Sequence, residues 1–433
     1  MEEKEVMLSP LDLFQHPPVQ TSIIGNRMVP YKTLSYLDNQ SSLEFSISTS
    51  TDWYIDLATI ELELLVKLCK ADGTNLSGDV NKQPGVVNNI LHSLFDQCNV
   101  YINGTQVTPS DDHYAYRAYF ENLLNYSKES AESHLACDGW VINTGENINK
   151  QDDTNVGFTK RRNLFANSKA VQLVGKLHGD IFSQSLYLMS GANLAIKLPL
   201  TKPSFYILED DENASMLKIL YATLHVTHYT ISPRILMAHT KVLTDTSNAI
   251  YPYKRVEVKS FTVPAGSKSI SHDNVILGTL PTTLLFAMVD NDAYVGKRSK
   301  NPFAFAHYSL TDFSLFIEGT QIPMHGLSMN FNLQKYWTRA YKSLFSGLGI
   351  HHANRGSQVT LEMFAHGFFI LAFDLTPDLV ADGEHVSLAK KGSARIDAKF
   401  EIELPNTITC LVYAVYNAAF EIDVSRNVLM VSP

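Results

Sequence analysis

The octets VYINGTQV (Val100–Val107) and LFIEGTQI (Leu315–Ile322) agree at four positions and match apolar with apolar at three more. A chain that writes one short pattern in each of its halves is restricted to folds that can be doubled. Further matches follow in the same order: Arg117-Ala118-Tyr119 with Arg339-Ala340-Tyr341, Leu198-Pro199 with Leu404-Pro405, and Leu236-Met237 with Leu429-Met430. The shifts lie between roughly 190 and 225 residues, far beyond the ~20–50 residues of a solenoid repeat. The pattern therefore predicts two copies of one domain of roughly 200 residues, fused head to tail.

The texture within each copy is that of strands. Inside the first octet, Asn99–Ile102 reads as a strand, and Asn103-Gly104 supplies the positive φ angles of a two-residue hairpin. LEFSIS alternates apolar with polar. In DLATIELELLVKLCK, Ile60, Leu62, Leu64 and Val66 fall on one face; Glu, Leu and Lys would also suit a helix, but the period of two favours a strand. LKILYATLHVTHYTI places Leu220, Ala222, Leu224 and Val226 on one face, with the alternation slipping at His228 and a break at Ser232-Pro233. A second strand series opens at YKRVEVKSFTVPAG. Two segments carry helical spacing instead: YAYRAYFENLLNYSKESAESHL and NLQKYWTRAYKSLFSGLG. Asp138 to Asn163 reads as a long polar surface loop, and Ala238 to Asn248 as a linker. Residues 1–30, with Pro17-Pro18 and little apolar periodicity, read as an arm.

Strands with one apolar face must bury it against a second sheet ~10 Å away. The strand count and long connections predict an all-β chain of two tandem eight-stranded jelly rolls (a double jelly roll), with short inserted helices and long loops. The expected division is an N-terminal arm, 1–30, a first jelly roll, 31–240, and a second, 241–433. An immunoglobulin-like sandwich, at about 100 residues, is too short for either half.

Several functions are disfavoured. The formal net charge is -9, whereas a phosphate-gripping protein carries a basic face. Lys160-Arg161-Arg162 and Lys297-Arg298 read as solvated loops, so strong direct nucleic-acid binding is not expected. The four cysteines form no C-x-x-C pair, which suits a reducing compartment. MEEKEVMLSP is not a secretory signal, no run reaches the ~18 apolar residues of a membrane span, and the sequons at Asn103 and Asn125 are expected to be unmodified. P-loop, zincin, nucleophile-elbow and dinucleotide fingerprints are missing. The sequence thus names no catalytic residue, no cofactor and no metal ligand. His225 and His228 fall on opposite faces of a strand. His351-His352, near Asn354 and Arg355, read as loop residues, and Asp111-Asp112-His113 as turn and helix N-cap. EDDENAS (Glu209–Ser215) reads as a solvated tip without calcium-loop spacing. Tyr114, Tyr116, Tyr119 and Phe120 read as packing residues rather than a base-stacking platform.

The stretch from Asn88 to Leu135, with LHSLF, a strand ending in Asn-Gly and a Tyr-rich helix running into LLNYSKE, resembles the major capsid proteins of Polinton/Maverick elements and adintoviruses. DWYIDLATIELEL and FEIDVSRNVLMVSP also look like that family. The resemblance implies a non-enzymatic double jelly-roll subunit. It implies that three copies form a pseudo-hexagonal capsomer and that capsomers tile an icosahedral virion shell assembled inside the host cell, with penton and minor capsid proteins as further partners. The N-terminal arm would run beneath that shell. The interface residues between copies are not legible. Two alternatives stand beside it: a lectin-like tandem jelly roll binding carbohydrate, and a cupin-type metalloenzyme, for which no grouping of histidines with a carboxylate is seen.

Overall fold

A computed structural model describes residues 11, 13–14, 19–34, 37, 41–109, 111–210, 214–245, 247–332, 336–351, 354, 356–381, 383 and 385–431. Sixteen strands make its frame. In the first half these are β1 (Ile23–Lys32), β2 (Ser42–Ile47), β3 (Trp53–Cys69), β4 (Asn99–Ile102), β5 (Thr105–Gln106), β6 (Val171–Lys176), β7 (Leu194–Pro199) and β8 (Met216–Ile231). The second half has β9 (Ala249–Val263), β10 (Ser269–Thr279), β11 (Thr283–Asp290), β12 (Leu310–Ile317), β13 (Thr320–Ser328), β14 (Ile370–Asp374), β15 (Lys391–Phe400) and β16 (Ile408–Ile422).

The strand orders are β1-β8-β3-β6 and β2-β7-β4-β5 in the first half, and β9-β16-β11-β14 and β10-β15-β12-β13 in the second. Each strand of the first half thus corresponds to the one numbered eight higher, and all these pairings are antiparallel. Two four-stranded sheets per half make a jelly roll, and there are two of them. A short ribbon, Gly85–Val86 with Ile207–Leu208, and a strand at Val428–Val431 alongside β16 complete the sheets. β1 begins inside the segment read as an arm, of which residues 1–10, 12 and 15–18 lie outside the described residues.

The duplicated octet is the β4–β5 hairpin in one barrel and the β12–β13 hairpin in the other. Asn103 (φ 48°) and Gly104 (φ 84°) turn the first; Glu318 (φ 48°) and Gly319 (φ 76°) turn the second. Two consecutive positive φ angles give the type I′ twist that a two-residue hairpin needs. The matched Arg-Ala-Tyr triplets lie in helices Tyr114–Asn125 and Thr338–Gly347, each between the fifth and sixth strands of its barrel. In β3, Ile60, Leu62, Leu64 and Val66 are fully buried, so the alternation outweighed the helical propensity of its Glu, Leu and Lys residues.

Other expectations are corrected. β8 slips twice: a bulge between Ile219 and Tyr221 turns Leu220, expected on the inner face, outward and puts Leu217 and Ile219 inside, and a second register shift lies between His225 and Thr227, just before His228. The presumed surface loop 138–163 runs into helix Val156–Phe165, capped by Asn155 and buried through Phe158 and Phe165. The presumed linker lies largely in helix Pro233–Thr244, because proline at the first helical position starts a helix rather than breaking one. Leu404-Pro405 sits past the end of β15, and Leu236-Met237 is helical where Leu429-Met430 is strand, so these two matches are not structural equivalents.

Candidate functional site

The densest chemistry lies where the two barrels meet. Helix Tyr114–Asn125 follows the first hairpin and presents aromatics to the second barrel. Tyr119 stacks on Phe303 (ring centroids 4.1 Å apart), Phe120 on Phe305 (5.1 Å), and Tyr116 meets Phe303 edge-on at 5.6 Å. Tyr114, Tyr116, Tyr119 and Phe120 are thus packing residues, and three of them pack across the seam. Such rings bury ~150–250 Å² each and dominate interface energetics. Trp140 donates to Gln358 (2.8 Å), whose amide donates to the Asn122 carbonyl (2.7 Å).

Around this aromatic block runs a charged network. Arg117 bonds Glu121 (2.9 Å) and Asp180, and His178 bonds Glu121 (2.6 Å). Tyr413 of the second barrel reaches the same Glu121 at 3.4 Å. Burial raises Glu121, but Arg117 and His178 outweigh it and the carboxyl falls to about 2. Burial raises Asp180 despite its bond to Arg117. Two carboxylates face one guanidinium, and the more deeply enclosed one is driven toward its protonated form. Fully enclosed His92 meets His178 edge-on at 4.5 Å and lies 3.7 Å from Asp138. Burial, then His178, pushes its pKa down, so its ring is neutral at neutral pH. A cleft of about 680 Å³ opens beside the network, lined by Arg117, Glu121, Asp180, Tyr253, Lys254 and Tyr413.

The remaining candidates scatter. Asp111 accepts from the Val258 amide (2.8 Å), and His113, bonded to Asp111, reaches Tyr294 (2.9 Å). They clasp the second barrel; His113 also holds the N-cap position of helix Tyr114–Asn125, as expected, but without a side-chain bond to the helix amides. The basic clusters are solvated only at Lys160 and Lys297; Arg161 and Arg162 are 1% exposed. Arg161 donates to Val86 and Val141 carbonyls and to Asn143, and Arg162 to Asn81 and Asp153. Arg298 pairs with buried Glu209, which also accepts from the Ser215 amide, so EDDENAS is anchored at both ends; residues 211–213 lie outside the described residues. His225 bonds Glu63 (2.6 Å), whereas His228 is enclosed by Tyr31 and Trp53, so the two do not converge. His351 is an exposed turn residue; His352 and Arg355 lie outside the described residues. No trio of metal-ligating side chains occurs among the described residues, and no helix there is long and apolar enough to cross a membrane. Sequence reasoning missed the Arg117–Glu121–Asp180–His178 network. Only its first pair, four apart on a helix, carried a local signal.

This arrangement fixes one barrel against the other. No protein-family model matches the chain. The chain is 24% identical over 426 residues to uncharacterized protein F54H12.2 of Caenorhabditis elegans, covering 95% of this chain and 98% of the relative. Among solved structures, a chain of the Sputnik virophage particle superposes with TM-score 0.61 at 11% identity, covering 100% of this chain and 93% of that one. The virus capsid of PBCV-1 gives 0.60 at 9% (97% and 99% covered), and the mavirus major capsid protein 0.52 at 11% (100% and 96%). The fold is the double jelly roll of viral major capsid proteins. These neighbours are structural proteins, not enzymes, and the carbohydrate-binding reading draws no support from them.

Proposed function

We propose that this chain is the major capsid protein of a Polinton/Maverick- or adintovirus-type element. It assembles as a homotrimeric, pseudo-hexameric capsomer and, with penton and minor capsid proteins, builds an icosahedral virion shell inside the host cell. The observation that carries this reading is the seam. Two barrels of one strand order, β1–β8 and β9–β16, are locked side by side by the stacked aromatics and by the bonds of Asp180 and Asp111 to the amides of Val256 and Val258; we take them as two jelly rolls meeting near residue 240, the first reaching back into the N-terminal arm. Three such pairs present six near-equivalent edges, so a threefold object suits a hexagonal lattice, and heterologous contacts extend it into a shell. Electron microscopy and light scattering of the purified chain test this. Trimers and closed shells are expected; a strict monomer at every concentration overturns the reading.

A further inference from the structure

The repeat-related edge strands β1 and β9 are treated differently. The outer edge of β9 is covered by the first barrel. Asp180 accepts from the Val256 amide (3.1 Å), Asp111 from the Val258 amide (2.8 Å), and Gln184 donates to the Pro252 carbonyl (2.8 Å). Tyr251, Tyr253, Val256 and Val258 are accordingly buried. β1 occupies the same end position in its own sheet. Seven of its ten residues are exposed, among them Ile24 at 66% and Met28 at 58%. A ten-residue open edge with apolar side chains is a template for pairing.

Most of the cover on β9 comes from residues 177–193, the connection from β6 to β7. Its counterpart in the second barrel is the connection from β14 to β15, residues 375–390, of nearly equal length. There Leu379, Val380, Val386 and Leu388 are all exposed. The two exposed surfaces are also complementary in charge. β1 carries Arg27 and Lys32 and no acidic residue, while the sequence from Leu375 to Lys390 carries Asp378, Asp382 and Glu384 against the single Lys390.

We propose that the β14–β15 connection of one copy covers β1 of the next, as the β6–β7 connection covers β9 within the chain. The inference rests on the self-assembly reading above and names its contact. Each copy gives one such surface and receives one, so the internal seam is repeated in trans and alternating barrels close a ring.

Met28→Glu and Leu388→Glu in the full chain test it, with Arg27→Glu as a second lesion on β1 and thermal melting to show that each variant is folded. Each variant should raise the concentration for half-assembly by at least about tenfold, because a carboxylate is driven into an apolar contact. The decisive sample is the equimolar mixture. The Met28→Glu copy keeps an intact connection and the Leu388→Glu copy an intact β1, so one good contact remains and light scattering should report twice the 48.4 kDa chain mass. Wild-type trimers with variants that assemble normally, or a mixture that recovers nothing, would overturn this contact alone. A monomeric wild type would overturn the assembly reading as well.

Discussion

The connections between the fifth and sixth strands of the two barrels occupy one topological position and perform different tasks. In the first barrel, residues 107–170 carry helix Tyr114–Asn125 and Trp140, which build the seam, and buried Arg161 and Arg162, which bond within their own barrel. In the second, residues 329–369 reach the seam through Gln358, but their helix Thr338–Gly347 packs on β14 of its own barrel. Arg117 lies between Glu121 and Asp180, while its repeat partner Arg339 is exposed. Other paired positions kept one role. His92 and His307 each stand eight residues before their octet, and burial lowers the pKa of both. The strand framework is thus shared, and the two inserted helices differ in what they face: one the other barrel, the other its own sheet.

The largest effect should separate the two arginines. Arg117→Leu leaves Asp180 without its cation and Glu121 with His178 alone, and should cost about 3–5 kcal/mol in urea unfolding. Arg339→Leu should stay within about 0.5 kcal/mol of wild type. Equal losses would break the comparison.

The histidines should sharpen it. The His307 pKa is lowered to about 4 by burial, with His366 adding to the effect. A base whose folded pKa is depressed takes up a proton on unfolding. Its stability is therefore fully present above pH ~6.5 and lost as pH falls toward 4, a loss of about 1–2 kcal/mol for this half-buried ring. Asparagine can still accept from the Ser309 amide, which bonds His307 Nδ1 at 2.9 Å, but does not titrate. His307→Asn should therefore flatten part of the loss of stability between pH 6.5 and 4 and leave the His92 share. An unchanged pH profile would remove His307 from this account.

The smallest effect should be equal in the two barrels. Gly104→Ala and Gly319→Ala place a Cβ at φ 84° and 76°, where nothing lies within 4 Å. Each should cost about 1 kcal/mol, measured by urea unfolding, through backbone strain alone. A large difference between them would show that the hairpins are not equivalent.

What the sequence by itself determined was local. Alternation in β3 and in the hairpin strands, the Asn-Gly turn and the order of the repeats depend on residues a few positions apart, and they sufficed for an all-β chain of two jelly rolls. The family resemblance led to the same fold. The start of helix Pro233–Thr244 was also written locally, as Ser-Pro, but was read as a break. The seam was decided only by tertiary structure. Asp180 and Val256 are distant in the chain, and nothing near Arg161 announces that carbonyls from Val86 and Val141 will surround it. A charged side chain is solvated or enclosed according to which distant backbone groups the fold brings to it. That information resides in the tertiary packing, within the first barrel for Arg161 and between the two barrels for Asp180.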